Sequence, residues 1–184
     1  MTTNKKPIFK NISHHPDGIV SVFQERPQKY MMLLSLAQKL LREESYLSSL
    51  HREIIAAYTS KLNGCEYCCG SHTSFAISLG ASDEDVLVIN GGPIENHLLA
   101  SLLFYVKKLT LTPNDISEND KQLVHAAGFS EEQLKDAIAV CAAFNFFNRI
   151  VEGHGIVPKI NYDKDAQTIN KYGYDFKIKI QKAL

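Results

Sequence analysis

The sequence has no excess of charge of either sign and no apolar run long enough to cross a membrane. Its 20 Lys and Arg residues balance its 20 Asp and Glu residues, so no net field draws the protein toward nucleic acid or an anionic membrane surface. The longest apolar stretches, such as 98–106, fall well short of the roughly 20 residues that a membrane helix needs, and segment 1–7 has no apolar signal core. We therefore expect a cytoplasmic protein that binds neither nucleic acid nor a membrane.

Cysteine is also scarce, and where it occurs it is clustered. The chain of 184 residues has four cysteines, too few for the disulfide scaffold of a small secreted domain. Three of them lie between positions 65 and 69, and Cys65 and Cys68 have the C-x-x-C spacing. In a reducing compartment such a pair is usually redox-active or half of a zinc site. The clustering indicates chemistry, whereas Cys69 and Cys141 are expected to pack in the core.

The apolar residues that are present recur at three- and four-residue spacings, and no long alternating run appears. The sequence therefore predicts an all-α fold, a single-domain helical bundle of about seven to nine helices over residues 1–184. Its core is expected over about residues 15–160. Segment 7–20 is predicted to be an irregular lead-in, and the tail from His154 has no clear periodicity until 174–182, which alternates weakly. The predicted helices cover about 27–41, 48–61, 65–79, 82–90, 95–109, 119–127 and 130–151.

Segments 79–86 and 127–134 resemble each other at a 48-residue offset. The similarity is compatible with two copies of a helix-turn-helix unit. It is equally compatible with two ordinary glycine stops, each followed by a serine cap. The sequence leaves both interpretations open.

Cys65, Cys68 and His72 have the spacing of residues that share one helical face. Cys68 lies three residues after Cys65 and four before His72, so all three project in one direction if a helix begins near Cys65. The cysteine pair also falls in the first turn, where free backbone N–H groups and the helix dipole stabilise a thiolate. A helix start of this kind suits a reactive thiol.

Glu53 is the predicted partner of His72. An imidazole one helical turn from Cys68 suits a general base. If the flanking helices fold back at Asn63-Gly64, Glu53 and His72 lie roughly 16 Å and 13 Å from the turn, at 1.5 Å per residue. We therefore predict a relay from Glu53 through His72 to Cys68, with Cys65 available to form a disulfide once Cys68 is oxidised.

Three other interpretations of the cysteine pair were weighed. Zinc bound by Cys65, Cys68 and His72 needs a fourth ligand such as Glu53, and three ligands on one short helical face splay poorly around a tetrahedral ion. A thioredoxin-type site requires a strand before the C-x-x-C, and none is predicted. In the third interpretation the cysteines are buried apolar residues that simply pack a helix pair. The helix start, His72 and Glu53 together favour redox chemistry.

The pattern of Glu53, eleven intervening residues, Cys65-x-x-Cys68, three residues and His72 resembles a known signature. It is similar to the E-x11-C-x-x-C-x3-H signature of the alkylhydroperoxidase D-like branch of the carboxymuconolactone decarboxylase superfamily. The similarity extends to other segments and is greatest for the peroxidase-related subgroup, over roughly 15–160. Those segments are Arg26-Pro27, Leu47-Ser48, 60–65, 109–110, 127–130 and 144–149.

The resemblance implies an all-α fold, assembly into homo-dimers, trimers or hexamers, and thiol-dependent reduction of hydrogen peroxide or organic hydroperoxides. It implies no metal or haem cofactor. Cys68 would attack the peroxide, Cys65 would resolve it, and Glu53 and His72 would relay protons. The electron donor would be a dithiol, of lipoyl or thioredoxin type. The chain departs from these relatives at Tyr67, where they have a second histidine, so its relay is expected to be shorter.

Two other functions remain open at this point. A decarboxylase of the same superfamily would not need the pair Cys65 and Cys68, so their presence counts against that activity. A non-enzymatic redox sensor would form the disulfide but turn over negligibly. No sequence feature separates such a sensor from a peroxidase.

Overall fold

The protein is described by a computed structural model that covers residues 8–9 and 18–176. The described residues form nine α-helices, one short 3₁₀ helix and no strand, which confirms the all-α prediction. The helices are α1 (Ile19–Glu25), α2 (Pro27–Leu41), α3 (Ser49–Leu62), α4 (Glu66–Ser78), α5 (Asp83–Ile89), α6 (Ala100–Leu111), α7 (Glu118–Ala126), α8 (Glu131–His154) and α9 (Asp163–Tyr172).

Serine caps begin several of the predicted helices where the sequence placed them. The Ser48 side chain accepts a hydrogen bond from the His51 backbone N–H at 3.1 Å and so caps α3. Ser82 and Ser130 each form a capping box at the start of α5 and α8. Because these side chains satisfy N–H groups that have no partner inside the helix, they fix the first turn in place.

The start of α6 differs from the prediction. The sequence predicted a helix from about Glu95, whereas α6 begins at Ala100. In the preceding turn the His97 ring accepts a hydrogen bond from the Leu99 backbone N–H at 3.1 Å and contacts Asp85 at 2.8 Å. These side-chain contacts hold residues 94–99 in successive turns and delay the helix.

Two helices were not predicted. α1 begins within the expected irregular lead-in, and α9 lies in the tail that showed no periodicity. In α9 only Ala166 is buried, and Ala166, Ile169 and Tyr172 are its few apolar residues, so the helical signal in this part of the sequence is weak. The rest of the lead-in at 10–17 and the weakly alternating end of the tail at 177–182 lie outside the described residues.

A helical hairpin forms the centre of the fold. α3 and α4 pack against each other and are joined at Asn63-Gly64, where Gly64 has a φ of 69° that glycine adopts without strain. α8 packs on α3, and α9 covers α4. α3 is buried from Arg52 to Ser60. Within the described residues, no helix combines the length and apolarity that crossing a bilayer requires.

Candidate active site

Glu53 and His72 meet in the α3–α4 hairpin, as predicted. Glu53 is fully buried in the middle of α3, and His72 is 8% exposed on α4. His72 Nδ1 lies 2.6 Å from Glu53 Oε2. The two side chains come level because they lie on opposite arms of one hairpin at similar distances from its turn. The contact was predicted, and its catalytic role remains a prediction.

The cysteine pair lies at the start of α4. Cys68 is in the first turn, whereas Cys65 is the N-cap residue with extended backbone at φ −85° and ψ 92°. The expectation that Cys65 shares a helical face with His72 is therefore wrong, because Cys65 precedes the helix. Both cysteines are nevertheless buried and reduced, and their thiols are in hydrogen-bond contact.

The two thiols of the pair have different surroundings. The neighbouring Cys68 thiol, together with burial, raises the pKa of Cys65 far above its ordinary value. Cys65 therefore remains a protonated thiol near neutral pH. Cys68 lines a cavity, whereas Cys65 does not. Only Cys68 is placed to meet a small molecule.

The cavity has a volume of about 380 Å³ and is mainly apolar. α4 supplies Cys68, Ser71, His72 and Phe75 to its wall, and α1, α2, α8 and the segment 159–176 supply the rest. The charged residues at the cavity, Lys159 and Asp165, neutralise each other at 2.6 Å. An apolar molecule can therefore lie against Cys68 and His72 without burying an unpaired charge.

Two residues that the sequence did not suggest complete the site. The Arg42 Nη1 donates to Glu53 Oε1 at 2.5 Å, and the Tyr174 hydroxyl donates to the same oxygen at 2.6 Å. Arg42 is the C-cap residue of α2, and its side chain turns inward to Glu53. Tyr174 follows α9, at the start of the weakly alternating segment 174–182. No sequence signal connects either residue to Glu53.

These donors keep Glu53 ionised although it is buried. Burial raises the pKa of Glu53, but His72, Arg42 and Tyr174 together outweigh that effect and bring it below its ordinary value. The pKa of Tyr174 is raised well above its ordinary value by burial and by the Glu53 charge. Tyr174 therefore stays neutral and acts as a donor.

The ionised carboxylate determines the role of the His72 nitrogens. A carboxylate only accepts hydrogen bonds, so Nδ1 must carry a proton and the lone pair of a neutral ring lies on Nε2. The ring is packed edge-on against Phe144, with centroids 4.4 Å apart, and against Phe75 at 5.2 Å. Hydrogen bonding and packing thus fix both the tautomer and the ring orientation.

Tyr67 occupies the position at which the resemblance led us to expect a second histidine. Its ring lines the cavity and lies edge-on to Tyr162, with centroids 5.7 Å apart. The hydroxyl accepts a hydrogen bond from the Ile19 backbone N–H at 3.4 Å, and burial raises its pKa. Tyr67 therefore packs α4 against the start of α1 and is not placed as a proton acceptor.

The remaining cysteines lie apart from the cavity. Cys141 is buried between α8 and α6, with its sulfur 3.3 Å from the Thr110 hydroxyl. Cys69 is partly exposed, and burial of its thiol raises its pKa. Among the described residues, no group of three His, Cys, Asp or Glu side chains is arranged to hold a metal ion.

Known proteins share both sequence and fold with this chain. Residues 27–101 match the carboxymuconolactone decarboxylase family. The uncharacterized protein YdfG of Bacillus subtilis (strain 168) is 22% identical over 138 residues, which span 71% of this chain and 90% of that protein.

Solved structures with the same fold include two peroxidase-related proteins. An uncharacterized peroxidase-related protein from Silicibacter sp. TM1040 has a TM-score of 0.71 at 23% identity, over 79% of this chain and 78% of that one. One from Ralstonia eutropha JMP134, described as an alkylhydroperoxidase AhpD core, has a TM-score of 0.69 at 20% identity, with the same coverage of 79% and 78%. Residues 27–101 therefore resemble the carboxymuconolactone decarboxylase family in sequence, and the chain has the same fold as these peroxidase-related structures.

Proposed function

We propose that the protein is a thiol peroxidase that reduces hydroperoxides through a disulfide between Cys65 and Cys68. The observation that carries the proposal is the position of Cys68. It lies in the first turn of α4, on the wall of an apolar cavity, with His72 on the same wall and the Cys65 thiol in contact. Such an arrangement has a nucleophile, a base and a resolving thiol in one place.

In the first step Cys68 attacks the distal peroxide oxygen. His72 Nε2 takes the thiol proton, and the Cys68 sulfur forms an S–O bond as the O–O bond breaks. The leaving alkoxide takes the proton from His72 and departs as an alcohol, or as water if the substrate is hydrogen peroxide. Cys68 is left as a sulfenic acid.

In the second step Cys65 resolves the sulfenic acid. The Cys65 sulfur attacks the Cys68 sulfur, hydroxide leaves, and the Cys65 proton converts it to water. The raised pKa of Cys65 suits this order, because a protonated thiol does not compete for the peroxide. An external dithiol, of lipoyl or thioredoxin type, then reduces the disulfide. Because this requires a reducing compartment, we propose a cytoplasmic location.

The cavity favours organic hydroperoxides over hydrogen peroxide. A volume of about 380 Å³ with a mainly apolar wall is larger than hydrogen peroxide needs. Apolar substituents of an organic hydroperoxide would gain about 25 cal/mol for each Å² removed from water there. We therefore expect a higher kcat/KM for cumene hydroperoxide than for hydrogen peroxide.

We also propose that the chain forms a homo-oligomer, namely a dimer, trimer or hexamer. Large apolar side chains are exposed on neighbouring helices, with Phe104 and Leu111 on α6 and Leu123 on α7. An exposed apolar patch of this kind often marks a protein interface. Analytical ultracentrifugation would measure the state, and a monomer at all concentrations would contradict this proposal.

The peroxidase proposal is tested by the turnover of cysteine variants. Cys68→Ser is expected to abolish consumption of cumene hydroperoxide with dithiothreitol, and Cys65→Ser to slow it and leave Cys68 prone to overoxidation. Cys69→Ser is the matched control, since Cys69 is the next residue but lies outside the cavity wall. Wild-type consumption by Cys68→Ser would refute the mechanism. Negligible consumption by the wild type, with disulfide formation intact, would indicate a redox sensor.

A further inference from the structure

The two oxygens of Glu53 have separate partners. Oε2 accepts from His72, and Oε1 accepts from both Arg42 and Tyr174. Glu53 is fully buried, so solvent water cannot stabilise its charge and these side chains must do so. Since Oε1 is held by a guanidinium and a hydroxyl, the carboxylate cannot rotate away from Nδ1 without breaking two charge-assisted hydrogen bonds.

Arg42 also changes the electrostatics of the pair. An isolated buried carboxylate attracts a proton to the neighbouring imidazole and favours the imidazolium. Here the Arg42 guanidinium balances the Glu53 charge, and the Tyr174 hydroxyl disperses it further. The rings of Phe75, Phe144 and Tyr174 also pack on His72 and carry no charge. A Glu53 carboxylate balanced in this way orients the imidazole and attracts a second proton to it less strongly than an unpaired carboxylate would.

We propose that Arg42 and Tyr174 are positioning residues of the active site, which hold Glu53 Oε2 on His72 and keep His72 available as a neutral base. The expected effect on kcat rests on the proposed peroxidase function. The expected effect on the His72 titration does not require turnover. Neither residue is placed as the nucleophile or the base. Arg42 acts through Glu53, and Tyr174 acts through Glu53 and through its own contact with His72 Nδ1 at 3.4 Å.

The attachment of the C-terminal segment supports this role for Tyr174. The Tyr174 backbone N–H donates to the Gln38 side chain at 2.8 Å, and the second Arg42 nitrogen donates to Asn170 at 2.8 Å. Asn170 in turn donates to Ser78 at the end of α4. Hydrogen bonds thus attach the segment to α2 and to α4. These contacts place the Tyr174 hydroxyl at Oε1 and its ring on the cavity wall.

The test compares Tyr174→Phe with Tyr172→Phe. Phenylalanine keeps the ring of Tyr174 and removes only the hydroxyl that Glu53 binds, whereas Tyr172 is 54% exposed two residues away and serves as the control. With cumene hydroperoxide and dithiothreitol we expect kcat of Tyr174→Phe to fall about tenfold, the equivalent of one hydrogen bond to a charged group. KM should change less than twofold, and the acid limb of the kcat profile should move to higher pH.

The second readout does not depend on turnover. In ¹H–¹⁵N NMR spectra of the histidine rings, assigned with His72→Gln, the His72 signals of Tyr174→Phe should change at higher pH than those of the wild type. Arg42→Gln removes the positive charge and should move them in the same direction and further. Tyr172→Phe should match the wild type in both readouts.

Each outcome decides one of the two proposals. Unchanged His72 titration in Tyr174→Phe and Arg42→Gln would overturn the positioning role, even if kcat fell, because a structural defect alone would lower kcat. If the wild type consumes hydroperoxide and Tyr174→Phe has the same kcat, the positioning role is also overturned. If the wild type consumed no hydroperoxide but the His72 titration moved as expected, the peroxidase proposal would fail and the positioning role would stand.

Discussion

Replacing Glu53 with glutamine tests the site at its most connected residue. Glu53 is fully buried and accepts hydrogen bonds from His72, Arg42 and Tyr174 at 2.5–2.6 Å. Glutamine has nearly the same shape, but one of its two positions becomes an NH₂ donor. Three donors cannot all be satisfied by one oxygen, so the substitution changes hydrogen bonding and leaves packing almost intact.

The side chain of Glu53→Gln has two orientations, and each is unfavourable. If its oxygen stays on Arg42 and Tyr174, the NH₂ group faces His72 Nδ1, which must become an acceptor. The ring proton then moves to Nε2, and the base toward Cys68 is lost. If the amide flips, its NH₂ group faces the Arg42 guanidinium, and these two donors then have no acceptor between them.

The expected loss is large in both activity and stability. A positioned general base contributes about 10²- to 10⁴-fold in rate, so kcat should fall within that range. Breaking one partner of a buried charge pair costs about 3–5 kcal/mol, because Arg42 is left uncompensated. For a chain of this size each kcal/mol corresponds to about 2–4 °C, which gives a decrease of about 6–20 °C in Tm.

The assays are cumene hydroperoxide consumption with dithiothreitol and thermal unfolding by circular dichroism. Glu84→Gln is the matched control, since Glu84 is an exposed residue in the first turn of α5. It should keep wild-type kcat and change Tm by less than about 2 °C, as expected for an exposed site. Wild-type turnover by Glu53→Gln would show that the tautomer of His72 has no bearing on catalysis.

Three further predictions concern pH, the C-terminal segment and Tyr67. The pKa of Glu53 lies below its ordinary value of 4.5 in the folded protein, so its ionisation stabilises the fold above that pH, and the contribution is lost as pH falls through the folded pKa. The free energy of unfolding, measured with urea below pH 4.5, should therefore fall more steeply with decreasing pH for the wild type than for Glu53→Gln. Gly173 has φ 81° and ψ 177°, a backbone conformation that is strained for alanine. Gly173→Ala should therefore lower the free energy of unfolding by about 1–3 kcal/mol and lower kcat by displacing Tyr174. Gly153→Ala inside α8 is the control, because the added methyl group meets no neighbour and should not lower kcat. Tyr67→Phe should leave kcat within about twofold and cost under about 1 kcal/mol in urea unfolding, because it removes only one weak hydrogen bond; a much larger loss of kcat would give the hydroxyl a catalytic role.

The α3–α4 hairpin could be predicted from the sequence because its determinants are local. Ser48 caps α3, and Asn63-Gly64 separates two helical segments of similar length. Helical rise alone then brings Glu53 level with His72, and the observed contact follows. The C-x-x-C pair lies at the next helix start for the same local reasons.

The rest of the site depends on contacts between distant parts of the chain. Tyr174 binds a residue 121 positions earlier, and α9, which precedes it, is short and contains few apolar residues. Arg42 ends a predicted helix, but its inward turn depends on the path from α2 to α3. The extended backbone of Cys65 is another case, because a helix boundary is uncertain by a residue or two from sequence. None of these features has a local sequence signal.

Mapping the product of a single oxidation tests the proposed chemistry most directly. One equivalent of cumene hydroperoxide is added to the reduced protein, free thiols are counted, and the disulfide is located by tandem mass spectrometry after alkylation. The proposed mechanism predicts the loss of two thiols per chain and a bond between Cys65 and Cys68, with Cys69 and Cys141 still free. Four remaining thiols, or oxidation confined to Cys69, would contradict it.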